Sequence, residues 1–277
     1  MAQPQQTVLI TGCSDDGIGY GLALAFQQRG YHVFATARNT DKMSKLKDLP
    51  SVTLLALDVT EKSQIGAAVD AVRSHTGGTL DYLINNAARN HFMPILDEDL
   101  DRTRALYETN VWGPVAVTQA FAPLLIPAKG TLVFITSISG YLNVPYMGTY
   151  AASKRSIEII AETLRLELAP FGVGVLSVVT GAVKTMGQTY FGDFRLPENS
   201  LYKSIEEIVA AMARGEDGVE RMELMTYSNE VVSRIIQGAT GKVWYGCHAE
   251  STRHGTSHLP TSVLDAGAVK GTGLDRM

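Results

Sequence analysis

Thr7-Val8-Leu9-Ile10-Thr11-Gly12-Cys13-Ser14-Asp15-Asp16-Gly17-Ile18-Gly19 is the stretch on which the fold turns. Residues 7–10 read as a short apolar strand. A glycine-rich turn follows, and residues 19–29 carry a helical pattern that Gly30 stops. Strand, glycine turn and helix in that order present backbone N–H groups to a pyrophosphate. Gly12 permits the tight turn, Gly17 lets the backbone approach phosphate, and Gly19 lets the helix pack closely on the sheet. Ser14 and Ile18 belong to the same loop and are candidate contacts with it.

The alternation continues outward. Residues 31–37, 52–57, 82–85, 131–135 and 173–179 are further apolar runs, and helical patterns fill 62–75, 100–125 and 149–169. Strands buried on both faces read as continuous apolar runs, as these do. The repeat predicts right-handed crossovers and an α/β fold, a doubly wound parallel sheet with helices on both faces, in a single domain over residues 1–277. After Thr185 the pattern weakens. Residues 201–213 and 227–236 read as helices, 243–245 as a last edge strand, and 250–277 as a polar, loosely ordered tail.

The 277 residues carry a formal net charge of -4. A chain of this length buries roughly 70–75% of its unfolded surface and needs neither disulfide nor metal to fold. Cys13 and Cys247 make no disulfide framework, which predicts a reducing, cytoplasmic setting. His248, His254 and His258 cluster without the thiol or carboxylate pattern of a metal site, so no metal is expected. Mild acidity argues against nucleic acid as a partner. The short polar stretch 1–6 predicts no signal peptide. No run of about eighteen apolar residues is present, so no transmembrane segment is expected. Peripheral contact with a lipid or membrane surface stays open.

The end of the second strand selects among dinucleotides. An acidic residue there would accept from the ribose 2′-hydroxyl of NAD. Here Thr36-Ala37-Arg38 offers a guanidinium, which suits the 2′-phosphate of NADP. A merely solvated Arg38 is the alternative. Asp15 and Asp16 would oppose a phosphate and are expected to point away from it.

Further along, Tyr150-Ala151-Ala152-Ser153-Lys154 sets a phenol and an ammonium one helical turn apart, ~5–6 Å at Cβ. Ser137 lies thirteen residues before Tyr150. A phenol with a pKa of about 10 is a poor acid or base at neutral pH. A neighbouring ammonium favours the phenolate and is expected to pull that pKa down, making an acid/base centre. For the spacing alone, a surface Tyr and Lys on an ordinary helix is the alternative.

Together these motifs resemble the short-chain dehydrogenase/reductase family, from about Thr7 to Thr185 and in the family's order. Leu57-Asp58-Val59 resembles the segment that holds the adenine ring, with Asp58 at its amino group. Asn85-Asn86-Ala87-Ala88 resembles the family's Asn-Asn-Ala-Gly stretch, and Asn86 and Ala87 are carried over as cofactor contacts. Asn110, forty residues before Tyr150, matches the active-site asparagine, and Ser137, Tyr150 and Lys154 match the catalytic trio. The resemblance implies a Rossmann-like fold and NADPH-dependent reduction of a ketone or aldehyde by hydride transfer. Tyr150 would donate the proton, and Ser137 would stabilise the charge on oxygen. Lys154 would tune Tyr150 and hold the nicotinamide ribose. Asn110 would position a relay water, and Val183 and Thr185 would grip the carboxamide. Ser139, two residues nearer Tyr150, is the rival to Ser137. Asn110 as a helix-interior residue tied to backbone, and Thr185 as a plain helix cap, are the alternatives. Three departures stand out: four residues between Gly12 and Gly17 where the family usually has three, Ala88 for glycine, and Thr180-Gly181 for Pro-Gly. The long turn and the Thr-Gly variant resemble fungal acyl-dihydroxyacetone-phosphate reductases and related fungal reductases.

Residues 141–147 and 186–196 border the substrate in relatives, the latter within a substrate-loop and lid region at 186–240. Tyr141, Tyr146, Met147, Tyr190, Phe191 and Phe194 suggest a hydrophobic carbonyl substrate: lipid, steroid-like, terpenoid or polyketide. Packing of these side chains on one another is the alternative. Lys184, Arg195 and Lys203 would suit an anionic group on a substrate. A homodimer or homotetramer through the two long helices is implied by the resemblance. An NADP-binding regulator without turnover, and a redox-neutral isomerase or dehydratase, are the competing functions.

Overall fold

The computed structural model describes residues 5–277, the side chains of residues 188–190 excepted, so that of Tyr190 lies outside the described residues. Seven strands form one parallel sheet: β1 (Thr7–Thr11), β2 (His32–Ala37), β3 (Val52–Ala56), β4 (Tyr82–Asn85), β5 (Thr131–Ser137), β6 (Gly174–Thr180) and β7 (Gly241–Tyr245). Their spatial order is β3-β2-β1-β4-β5-β6-β7. Helices α1 (Ile18–Gln27), α2 (Lys62–Thr76), α3 (Leu100–Tyr107), α4 (Gly113–Ala128) and α5 (Gly148–Leu168) lie in the connections up to β6. Helices α6 (Glu206–Ala213) and α7 (Leu224–Ile236) lead to β7, and α8 (Ala249–His258) and α9 (Thr261–Val269) follow it.

Side chains alternate across each strand, so one apolar run feeds two cores. Val8, Ile10, Val33, Ala35, Val133 and Ile135 pack with Leu22 and Phe26 of α1 and Val231 and Ile235 of α7. Leu9, Phe34, Leu132 and Phe134 face the other way, toward Val69 of α2, Phe121 of α4 and Ile157 of α5. The chain winds outward in opposite directions from β1 and β4. That reversal opens a crevice at their carboxyl ends, where open α/β sheets bind ligands.

Three expectations change. The helical pattern of residues 100–125 is not one regular helix: α3 and α4 are joined by a π turn, Glu108–Trp112, closed by Gly113 N–H to the Glu108 carbonyl. Pro114 explains it, because it has no N–H to give the Asn110 carbonyl four residues earlier. Second, Leu100–Ala128 does reach the length and hydropathy of a membrane-crossing helix. Here Val117, Phe121, Leu124 and Leu125 of that segment are buried in the protein core. Third, residues 250–277 are ordered. Tyr146 Oη donates to the Thr272 carbonyl at 2.8 Å, Asn143 Nδ2 to Asp265 Oδ1 at 2.9 Å, and Leu274 packs on an apolar cluster beneath. Helix α8 buries Ala249, Thr252 and Gly255. A face of small and polar side chains carries little hydrophobic periodicity, so the sequence reads as loop.

Candidate active site

The glycine turn closes on the end of β4. Gly12 has φ +75°, and a Cβ there would meet Ala87 Cα at 2.8 Å. Asn86 Nδ2 donates to the carbonyls of Thr11 (2.8 Å) and Gly12 (3.0 Å), and the N–H groups of Asn86 and Ala87 donate to Thr11 Oγ1. Asn86 and Ala87 thus hold the turn in shape. Gly17 begins α1 with its N–H on the Ser14 carbonyl at 3.1 Å; no side chain caps this terminus and no acid stands in its first turn. Ile18 is the first residue of the helix. Gly19 serves close packing, though against the turn rather than the sheet at large: an added Cβ would lie 2.3 Å from the Gly12 carbonyl oxygen and 2.6 Å from Asn86 Nδ2. Both belong to rigid groups. Gly19→Ala is therefore expected to lower stability by about 1–3 kcal/mol, the range for overpacking. Denaturant titration checks it; an unchanged midpoint would mean that the turn relaxes freely.

Arg38 follows β2, exposed, and no ion pair holds it among the described residues. The two turn aspartates are engaged. Lys45 Nζ donates to both Asp16 oxygens at 2.7 Å, and Asp15 accepts from Ser44 Oγ (2.6 Å) and Lys45 N–H (3.2 Å). Asp58 sits past β3. Burial acts to raise its carboxyl, but the two Thr60 hydrogen bonds and the charges of Arg38 and Arg89 bring it below its ordinary value. Val59 beside it is buried and packs at Gly113, where a Cβ would come within 2.6 Å of its Cγ2.

Ser137 ends β5, and Tyr150 and Lys154 project from the first turns of α5. The Ser137 hydroxyl accepts from Ser139 N–H (3.1 Å) and donates to Ser139 Oγ (3.0 Å), and it lies close enough to the Tyr150 phenol to act on its ionisation. Of the two serines, Ser137 is therefore the one that meets the phenol. Lys154, 6% exposed, donates from Nζ to the Ile135 carbonyl at 2.9 Å and lies 5.9 Å from the Tyr150 ring centroid. Burial pushes its ammonium down to about 8. The Tyr150 phenol goes the opposite way to expectation. Burial pushes it up to about 12, and the Ser137 hydroxyl offsets this only in part. In this cleft desolvation sets the sign of the shift.

Asn110 lies in the π turn. Its Oδ1 accepts from Arg89 N–H at 2.7 Å, and its Nδ2 donates to the Arg89 carbonyl (2.9 Å) and Ser153 Oγ (3.1 Å). The side chain thus ties the loop after β4 to α5. Val183, past β6, is buried and bridges to Met222. Thr185 caps the short 3₁₀ turn Met186–Phe191, accepting from Gly187 N–H at 3.2 Å.

The aromatic segments largely pack together. Tyr146, Phe194 and Phe92 share an apolar cluster with Leu196 and Val209, and Phe191 and Met147 lean on it. Tyr141 is elsewhere, against Trp244 at 4.5 Å between ring centroids. Lys184 pairs with Glu223 (3.1 Å) and Lys203 with Glu206 (3.1 Å). Arg195 Nη1 donates to the Phe194 carbonyl. Two buried carboxylates escaped the sequence reading. Glu98 accepts from Thr149 Oγ1 at 2.8 Å and meets His91 Nε2 at 2.6 Å, joining the β4 loop to the residue before Tyr150. Glu158 lies eight residues after Tyr150, two helical turns along the same face, and that spacing was the signal for it. No group of three or more His, Cys, Asp or Glu side chains converges on a metal-sized site among the described residues.

A switch-point crevice with a glycine-turned helix N-terminus and a Ser–Tyr–Lys constellation defines a Rossmann-like dinucleotide enzyme. The family model for short chain dehydrogenases matches residues 6–194. The short-chain dehydrogenase ptmH of Penicillium ochrochloron is 47% identical over 98% of this chain and 99% of its own. The NADPH-dependent 1-acyldihydroxyacetone phosphate reductase of Schizosaccharomyces pombe is 39% identical over 75% of this chain and 71% of its own. A short-chain dehydrogenase structure from Burkholderia cenocepacia, in complex with NADP, superposes with TM-score 0.75 at 25% identity, covering 98% of this chain and 100% of that one. The chain belongs to the short-chain dehydrogenase family, an oxidoreductase family, and its likeness to a fungal acyl-dihydroxyacetone-phosphate reductase is borne out at the level of sequence.

Proposed function

We propose that the protein is an NADPH-dependent carbonyl reductase that converts a hydrophobic ketone or aldehyde to an alcohol. The observation that carries this reading is the Tyr150 phenol beside the Ser137 hydroxyl, with Lys154 buried one turn behind it. The residues present fit the cofactor. An uncapped, acid-free helix N-terminus suits a pyrophosphate, which Gly12, Ser14, Gly17, Ile18 and Gly19 would hold. Arg38, in no ion pair among the described residues, would take the 2′-phosphate, Lys45 having drawn off Asp16. Asp58 and Val59 would border the adenine, with Asn86 and Ala87 beneath. Tyr150 and Lys154 would hold the nicotinamide ribose, and Val183 and Thr185 the carboxamide.

Bound NADPH supplies the hydride. Tyr150, its proton retained at neutral pH, donates that proton from Oη to the carbonyl oxygen as negative charge develops there. Ser137 Oγ, released from Ser139, would donate a hydrogen bond to the same oxygen. The Asn110 carbonyl, denied an N–H by Pro114, would hold the water that returns a proton toward Lys154.

The apolar cluster of Phe92, Tyr146 and Phe194, in the segments that follow β4, β5 and β6, supports a hydrophobic substrate of lipid, steroid-like, terpenoid or polyketide type. Lys184 and Lys203 pair with glutamates, while Arg195 is in no ion pair among the described residues and is the cation left to meet an anionic headgroup. Exposed Trp112, Ile159 and Leu166 on and beside the long helices support a homodimer or homotetramer, and the free thiols Cys13 and Cys247 support a cytoplasmic setting.

Calorimetric titration with NADPH and NADH tests the cofactor. Wild type is expected to prefer NADPH, and Arg38→Ala to lose about 10–100-fold in NADPH affinity, the worth of charge-assisted hydrogen bonds to phosphate. Equal NADPH affinity in the two proteins would sink the Arg38 assignment. Stoichiometric NADPH consumption with hydrophobic ketones separates reduction from redox-neutral chemistry and from binding without turnover.

A further inference from the structure

Tyr150, Lys154 and Glu158 recur every four residues along one face of α5. Glu158 is a carboxylate only 1% exposed. Its Oε1 accepts from Arg155 Nη1 at 2.9 Å, meets Lys242 Nζ at 3.2 Å, and accepts from the Tyr141 hydroxyl. Its Oε2 is buried with no hydrogen-bond partner among the described residues. Lys242 Nζ also donates to Tyr141 Oη at 3.3 Å. The Tyr141 ring lies with the Arg155 guanidinium 4.5 Å from its centroid and Trp244 against it. Helix α5, the turn after β5 and edge strand β7 thus meet on one carboxylate.

Stability is a weak reason for such a group. A buried ion cluster recovers its desolvation poorly, and apolar side chains of the same volume often serve packing as well. What the cluster does hold is Tyr141, the last residue of the 3₁₀ turn Ile138–Tyr141. That turn starts at Ser137, whose hydroxyl caps it through Ser139 N–H. It rests directly on the helix, since a Cβ on Gly140 would lie 3.2 Å from Arg155 N. Ser137 therefore meets α5 in two ways: its hydroxyl faces the Tyr150 phenol, and the grip on Tyr141 four residues further on ties its turn to the helix.

We propose that Glu158 is a positioning residue for carbonyl reduction: by holding Tyr141 with Arg155 and Lys242, it sets the Ser137 hydroxyl in register with Tyr150. This rests on the reading of Ser137 and Tyr150 as the groups that meet the substrate oxygen. Charge is the operative property. Glu158→Gln keeps the volume and an acceptor for Tyr141, but gives up the charge-assisted bonds to Arg155 and Lys242. Tyr141→Phe keeps the ring and removes the hydroxyl that the carboxylate holds.

The experiment compares wild type, Glu158→Gln, Tyr141→Phe and the double variant, with Tyr150→Phe as control, on a ketone that the wild type reduces. NADPH titration counts binding-competent sites, and kcat is expressed per such site. Each single variant is expected to lose about tenfold in kcat per site, a modest share of what misplacement of a reacting group can cost. NADPH affinity should stay within about twofold of wild type, and the double variant should be no worse than the worse single one, because both break one link. A purely structural role would lower the melting temperature and the number of competent sites while leaving kcat per site intact, and that result overturns the proposal. Should Glu158→Gln fail to fold, Tyr141→Phe decides alone by the same criterion. A Tyr150→Phe control as active as wild type would overturn the catalytic reading and this proposal with it. Loss in that control, with Glu158→Gln and Tyr141→Phe unimpaired, overturns this proposal only.

Discussion

Tyr150→Phe is expected to reduce ketone turnover by about 10²–10⁴-fold, the range for removing a positioned general acid. NADPH affinity should fall by no more than about tenfold, the worth of the one ribose hydrogen bond that the hydroxyl would make. The substitution deletes one hydroxyl and keeps the ring, so the phosphate-binding turn at the other end of the crevice is untouched. Stability should move by no more than about 1 kcal/mol, the net worth of a single hydrogen bond. The direction of the Tyr150 shift sharpens the expectation. A phenol pushed up to about 12 holds its proton across the neutral range, as a donor to a developing alkoxide must. NADPH consumption under saturating ketone measures the effect. Turnover within tenfold of wild type would remove Tyr150 from the proton-donor role.

Lys154→Met is expected to abolish most turnover and, at the same time, to stabilise the fold. The Lys154 ammonium is buried, and burial pushes it from 10.5 down to about 8. Below about pH 8 both the folded and unfolded chains hold the proton, so the whole penalty of burying the charge is present there. Between about pH 8 and 10.5 the folded chain loses its proton first, and wild-type stability rises with pH through that window. Methionine fills a similar volume without charge. The gain at pH 7 is therefore expected to reach about 3 kcal/mol, less whatever the bond to the Ile135 carbonyl contributes. The pH dependence of the melting temperature between 8 and 10.5 should flatten in the variant. A variant less stable than wild type at pH 7 would mean that the hydrogen bond to Ile135 outweighs desolvation. A stabilised but inactive protein is the pattern of a residue kept for chemistry at the expense of stability.

Much of the site was legible in the chain. Gly12 and Gly19 announced a turn that tolerates no side chain, and the contacts at Ala87 and the Gly12 carbonyl are the reason. Ser137 was separable from Ser139 by spacing, and of the two it is Ser137 whose hydroxyl acts on the Tyr150 phenol. The interruption of the long helix was also written in the chain, at Pro114, although the apolar pattern of residues 100–125 runs straight through it. Periodicity records which face is buried and is blind to one missing N–H. The tail was missed for the opposite reason: α8 buries only small residues and α9 has no fully buried residue, so they leave almost no periodic signal.

The amino-acid order by itself determined the strand and helix alternation, the glycine turn, the guanidinium after β2 and the Tyr–Lys spacing. All of these depend on the nature of nearby residues and on the fixed geometry of a helical turn or a strand. Only the tertiary structure decided how those groups behave. Asp16 is neutralised by Lys45, twenty-nine residues away; Glu158 gathers Tyr141 and Lys242 from two other elements; and Tyr150 keeps its proton despite a lysine one turn along. Each of these outcomes is set by desolvation and by partners distant in sequence. A local pattern places an ammonium near a phenol, but the amount of water left around the two, which fixes the sign of the shift, depends on everything that packs over them.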